Sequence, residues 1–122
     1  GGYANGRTAY AMKKYHLTES DCFDAAVQPL TQWQGQRLIL HAEHLAVFWL
    51  AEGESPCTAA RPWLERWHDA ICITQEVGCG LVPITAEQRQ REAIGRFNTF
   101  LAEHAETVER VCCGIGMMLK GA

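Results

Sequence analysis

The amino end, Gly1-Gly2-Tyr3-Ala4-Asn5-Gly6-Arg7-Thr8, has residue types and spacing suited to phosphate chemistry. It follows the phosphate-loop pattern G-x-x-x-x-G-K-[ST], with arginine in place of lysine. In such a loop the glycines let backbone amides wrap a β-phosphate, and the helix that follows presents its positive end. Thr8 would supply a magnesium-ligating hydroxyl, and Arg7 would meet the terminal phosphates. Arginine keeps the charge but is bulkier and planar, so the exchange is not neutral. The pattern also needs a preceding strand to aim the loop, and the sequence given starts at the loop's first glycine. Taken alone, the octet reads as a glycine-rich terminus leading into a helix.

A second glycine-bearing stretch, Gln75-Glu76-Val77-Gly78-Cys79-Gly80-Leu81-Val82-Pro83, follows an apolar run. After a parallel strand, it would lie where open sheets bind ligands; a tight structural turn explains it equally well. Gly95-Arg96-Phe97-Asn98 falls mid-helix, where glycine costs about 1 kcal/mol relative to alanine. Close packing against a strand or a ligand would justify it. His41-Ala42-Glu43-His44 could set two imidazoles on one helical face for a metal, but no third ligand stands at a usual spacing, so a partly exposed pair is the plainer reading. Trp63 and Trp67, four apart, could stack on a flat ligand such as a corrin, although core packing is the commoner use. Arg89, Glu92 and Arg96 read as a solvated, salt-bridged helix face.

These residues need elements to hold them. Ala9–Tyr15 suits a short helix, and Phe23, Val27 and Leu30 at i, i+4, i+7 suggest weak helix over 23–30. Arg37–Leu40 is a buried-strand run, and Ala42–Ala51 returns to helical character. Glu52–Pro56 is a loop, and Pro62 suits the first turn of a helix reaching about His68. Ala70–Thr74 is a further strand run. Thr85-Ala86-Glu87-Gln88 is a capping box, opening a helix to about His104 whose apolar stripe is Ile94, Phe97, Leu101 and Ala105. Val108–Cys113 closes the strand set, and Gly114-Ile115-Gly116 turns the chain into Met117–Lys120. Apolar strands alternating with amphipathic helices predict an α/β fold: a mostly parallel sheet with flanking helices, small or incomplete, in one domain over 1–122.

The 122 residues are 48% hydrophobic and 20% charged, which excludes wholesale disorder. Net charge is −3, with 5 basic against 6 acidic residues in 1–61 and 6 against 8 thereafter, so no basic face argues for nucleic acid or an anionic membrane. The longest apolar run, Leu45–Ala51, is far short of a membrane span, and no signal peptide opens the sequence. Six cysteines could build a disulfide framework, but Cys72, Cys112 and Cys113 sit in apolar runs and no Cys-x-x-Cys occurs. Reduced thiols in a cytoplasmic protein are the expectation.

Together these stretches resemble the adenosylcobinamide kinase/adenosylcobinamide-phosphate guanylyltransferase family of cobalamin biosynthesis. That family opens with a strand and Gly-Gly-x-x-Ser-Gly-Lys-Ser, and carries Asn-Glu-Val-Gly-x-Gly-Ile-Val-Pro. It then has a helix with Gly-Arg-x-Asn, a strand, a Gly-Ile turn and a terminal Leu-Lys. Gly1–Thr8, Gln75–Pro83, Gly95–Asn98 and Gly114–Lys120 correspond in order, nearly continuously from Ile71 to Lys120, and poorly over 9–70. The resemblance implies a phosphate-loop fold binding GTP or ATP with Mg2+, a cobinamide-like corrinoid acceptor, and self-association. Gly1, Gly2, Asn5, Gly6, Arg7 and Thr8 would bind nucleotide, with Arg7 catalytic and Thr8 on the metal. Glu76, Gly78, Gly80, Arg96 and Asn98 would line the nucleotide or acceptor side.

Three departures weigh against full activity. Arginine replaces the loop lysine. The family's acid at the end of the strand matching 37–40 is His41 here, with Glu43 two residues on as its nearest stand-in. The His-His-x-x-Arg-Pro-x-x-Trp segment, whose histidine takes the guanylyl group, has no counterpart; His16 is the one histidine in that stretch. The expectation is a nucleotide-binding, kinase-like relative without guanylyl transfer. The alternative is a degenerate, non-catalytic member acting as a binding, regulatory or assembly partner.

Overall fold

The protein is described by a computed structural model over residues 7–74, 86–112 and 115–121. Helix α1 (Arg7–Lys14) leads through a 3-10 turn (Glu19–Asp21) into strand β1 (Cys22–Asp24), and a second such turn (Leu30–Gln32) precedes β2 (Leu38–Leu40). Helices α2 (Glu43–Ala51) and α3 (Pro56–Leu64) come next, then β3 (Ile71–Cys72), α4 (Ala86–His104), β4 (Val108–Cys112) and β5 (Ile115–Lys120).

The first three strands form a parallel sheet in the order β1-β2-β3. Cys22 aligns with Leu38 and Leu38 with Ile71, while Phe23 aligns with Ile39 and Ile39 with Cys72. Alternation along a strand sends these rows to opposite faces. Phe23 and Ile39, with Cys72 beside them, join Ala42, Leu45, Ala46, Trp49, Ala60, Trp67, Ile94, Phe97 and Phe100 under α2, α3 and α4. On the other face Leu38 and Ile73 pack with Ala11 and Leu17, at and just beyond α1. Helices thus cover both faces, as a parallel sheet requires. Phe23, Leu38, Ile39 and Phe97 are fully buried, each worth about 1.5–3 kcal/mol of transfer free energy.

The expected α/β architecture is therefore present, with one addition: β4 and β5 make an antiparallel hairpin outside the parallel sheet. The hairpin meets α1 where the Tyr10 hydroxyl donates to Glu109 Oε2 at 2.6 Å and Lys14 pairs with Glu109 Oε1. Gly116 lies against this contact; a Cβ there would stand 2.2 Å from the Tyr10 hydroxyl, so only glycine fits as the side chains stand.

Two helices end alike. After α2, Gly53 adopts φ 77°, its N–H reaches Leu50 O at 3.0 Å, and Glu54 N–H reaches Trp49 O at 2.9 Å. This is the Schellman arrangement that glycine favours. After α1, His16 takes that place at φ 55°, with Leu17 N–H on Met12 O at 2.8 Å and Leu17 buried beside Met12.

Three segments differ from the sequence expectation, one being Ile115 and Gly116, which were expected in a turn and belong to β5. Residues 23–30 form no α-helix: Phe23 is drawn into the sheet core, and the Asp24 side chain accepts Ala26 N–H at 2.9 Å, closing a turn in place of a helix. The helix expected to begin at Pro62 begins at Pro56, which occupies the first helical turn and leaves Pro62 inside α3; it ends at Leu64. Thr85, on which the capping box turns, and Cys113 lie outside the described residues, so neither that cap nor the opposed faces of Cys112 and Cys113 is described.

Candidate functional site at the strand ends

Parallel strands bring their carboxyl ends to one edge, the place where open α/β sheets receive ligands. Here β1 ends on Asp24, β2 on Leu40 followed by His41, and β3 on Cys72 followed by Ile73 and Thr74. The register sets Asp24 opposite Leu40, which brings the Asp24 carboxylate to the next residue of β2. His41 Nδ1 lies 2.8 Å from Asp24 Oδ1, and both side chains are about a third exposed, at 27% and 32%. The same Oδ1 accepts the Ala26 N–H. Partial burial acts upward on Asp24, but the hydrogen bonds from His41 and Ala26, with the charges of His41 and His44, hold its carboxyl below the usual carboxylate range.

The backbone at His41 is left-handed, with φ 55°. This conformation costs a non-glycine residue about 1–2 kcal/mol. It is fixed from both sides: Ala25 N–H donates to Leu40 O at 3.0 Å, and Ala42 N–H donates to Ile73 O at 2.8 Å. Because the chain turns here, His41 precedes α2 and is not part of it. The two imidazoles of 41–44 therefore do not share a helix face; they meet edge-on, ring centres 6.2 Å apart. Among the described residues no group of three or more His, Cys, Asp or Glu side chains is arranged to hold a metal ion.

Glu43 is in the first turn of α2 and 8% exposed, with His44 Nε2 at 3.9 Å from its carboxylate. Among the described residues the acid that ends a strand of the parallel sheet is Asp24 on β1, beside β2, after which His41 stands in place of the family's acid. Its sequence signal was faint: one Asp after a lone Phe, within a spacing that imitates a helix.

Beside the pair opens a cavity of ≈ 390 Å³ between the turn after β1 and α2. Ala25, Ala26 and Leu30 face His44, Leu45 and Trp49 across it, and the exposed side chains of Val27 and Phe48 also line it. At the end of β3 the Thr74 hydroxyl donates to Asn98 Oδ1 at 2.7 Å, tying α4 to the same sheet edge.

The expected site residues are distributed unevenly. Arg7 and Thr8 open α1 and are half-buried. Asn98 touches Thr74, whereas Arg96, two residues earlier and so on an opposed side of the helix, is exposed beside Gly53, Ser55 and Cys57. Arg89 and Glu92 are exposed with it, as a solvated face requires. Gly1, Gly2, Asn5, Gly6, Glu76, Gly78 and Gly80 lie outside the described residues. Trp63 stacks on Trp67 at 5.9 Å and receives the edge of Trp33 at 6.3 Å, so this aromatic pair serves the core. Cys22, Cys57 and Cys72 are free thiols, and burial pushes that of Cys72 up to about 12. No described helix is long and apolar enough to cross a membrane.

Comparison with known proteins agrees with the motif reading. A family model described as cobinamide kinase / cobinamide phosphate guanyltransferase matches residues 16–119, which takes in the sheet, all of α2 to α4 and most of the hairpin, and stops short of α1. No curated protein matches the chain.

Proposed function

Because the chain belongs to the cobinamide kinase / cobinamide phosphate guanyltransferase family, we propose that it binds GTP or ATP with magnesium and passes the γ-phosphate to a hydroxyl of a cobinamide-like acceptor. The single observation that carries this reading is the family match across 16–119. The open strand-end edge with its adjoining cavity supports it. Guanylyl transfer is absent in this reading, because the histidine segment it uses has no counterpart in the sequence.

Arg7 meets the terminal phosphates, and the glycine-rich loop with Gly1, Gly2, Asn5 and Gly6 holds the β-phosphate. The Thr8 hydroxyl is the one protein oxygen assigned to magnesium. A single hydroxyl in the first turn of a helix fits that ion, which keeps water and phosphate oxygens for its remaining positions. Held by the Thr8 hydroxyl, the ion would supply positive charge against the transferring phosphate. Glu76, Gly78, Gly80 and Asn98 line the nucleotide or acceptor side; Arg96, turned to the α2–α3 connection, fits that role least well. The protein works in the cytoplasm, and self-association accompanies it.

Isothermal titration with GTP and with ATP, each with magnesium, tests the reading. Micromolar binding should weaken by about 10- to 100-fold in Arg7→Ala, the loss of one charge-assisted contact. No binding by the folded protein would overturn it. The three altered family positions favour a second reading, a non-catalytic binding or assembly partner. Nucleotide binding without phosphotransfer to cobinamide, unchanged in Arg7→Lys, would select that one.

A further inference from the structure

We propose that His41, held through Nδ1 by Asp24, is the general base that takes the proton of the acceptor hydroxyl; the inference rests on the phosphotransfer reading above. Two observations meet at this residue, and a third, a cavity walled by its neighbours Ala26 and His44, lies beside it.

The first is tautomer control. Asp24 is fixed by the Ala26 N–H and stays ionised, so it accepts from Nδ1–H of His41 at 2.8 Å. A proton on Nδ1 leaves the lone pair on Nε2, and which nitrogen carries the proton is set by the bond the other makes. Among the described residues Nε2 of His41 has no hydrogen-bond partner, and the side chain is 27% exposed. Among the described residues the neighbouring titratable groups are Asp24 on β1 and Glu43 and His44 on α2.

The second is backbone strain. His41 holds a left-handed conformation at the end of the central strand, pinned by hydrogen bonds to both neighbouring strands. Strain of this kind persists where surrounding structure over-determines it, and it gathers at working sites. In this place it delivers an imidazole to the sheet edge that a residue continuing the strand would not deliver. The third is the adjoining cavity. Ala26, whose N–H grips Asp24, and His44, whose ring meets His41 at 6.2 Å, are both in its wall. Exposed Val27 and Phe48 give the cavity an apolar lining, suited to an acceptor that offers a hydroxyl on an apolar frame.

In the step itself the acceptor O–H proton moves to Nε2 as its oxygen bonds to the γ-phosphorus. The bond from that phosphorus to the β,γ-bridging oxygen breaks, and the departing nucleoside diphosphate keeps the electron pair. The imidazolium is balanced by the Asp24 carboxylate and returns its proton to water after product leaves. Asp24 is a positioning residue in this scheme and His41 the catalytic one. General-base assistance of this type is worth about 10²–10⁴-fold.

The test uses the full chain with GTP, magnesium and cobinamide. His41→Asn keeps a side chain that tolerates the left-handed backbone but accepts no proton. His41→Gly frees the backbone and leaves room for added imidazole. Both variants should bind GTP as the parent does and transfer phosphate at least about 100-fold more slowly, and imidazole in solution should restore rate to His41→Gly alone. Nitrogen NMR of the unliganded protein should show the Nδ1–H tautomer at His41, lost in Asp24→Asn. Parent-like rates in either variant, no imidazole rescue, or an Nε2–H tautomer in the parent would overturn the base while leaving phosphotransfer standing. Failure of the parent itself to transfer phosphate would overturn both.

Discussion

His16 stands in the stretch where the family carries its guanylyl-accepting histidine, yet the structure gives it a different task. It holds the left-handed position that ends α1, as Gly53 does for α2. A non-glycine residue there costs about 1–2 kcal/mol, and a glycine returns part of that by loosening the unfolded chain, about 0.4–1 kcal/mol. His16→Gly should therefore stabilise the protein by about 0.5–1 kcal/mol, or about 2–4 °C in Tm for a domain of this size. His16 is exposed, so little else is lost with the imidazole. Gly53→Ala is the reciprocal control: a Cβ at Gly53 meets nothing within 4 Å, so its cost is purely conformational, about 0.5–1 kcal/mol. Urea unfolding of both variants reads the two signs, and radiolabelled GTP shows whether the parent takes up a covalent guanylyl group. Destabilisation by His16→Gly, or a guanylyl label on the parent that the variant loses, would refute the assignment of His16 as a helix terminator.

Phe97→Ala removes a fully buried ring set edge-on to Trp49 at 6.0 Å, and should cost about 3–5 kcal/mol in denaturant unfolding, since α4 loses its anchor on α2. Asp24 and Glu109 both have folded-state carboxyl pKa values below their ordinary ones, Glu109 chiefly through its bonds from Lys14 and Tyr10. Their stabilisation is present above pH about 4 and lost as pH falls through the lowered values. Acid titration followed by circular dichroism should show a shallower decline in Asp24→Asn. Gly116→Ala sets a Cβ 2.2 Å from the Tyr10 hydroxyl and must displace it from Glu109. It should lower stability, and Tyr10→Ala should relieve most of the added loss in a double-mutant cycle. Cys72, with its thiol pushed to about 12 by burial, should resist iodoacetamide at pH 8 until urea unfolds the chain.

The sequence by itself determined the elements whose patterning is long or uninterrupted. The apolar run 37–40 became β2, the helical character of 42–51 became α2, and the stripe Ile94, Phe97 and Leu101 placed α4. Each follows from a period read within one segment. The glycine motifs and their order likewise named the family that residues 16–119 match. Segments of three residues carry no readable period. Phe23, Val27 and Leu30 therefore imitated a helix, and β1 appears only because β2 offers Phe23 a buried row beside Ile39. The same limit hid the site. Asp24 and His41 are 17 residues apart, and no motif in the sequence joins them. They meet because parallel pairing sets Asp24 against Leu40, and because the chain turns left-handed at the next residue to bring an imidazole back to that carboxylate. Register and backbone hand are fixed by contacts between strands, so that juxtaposition was decided by the tertiary structure alone.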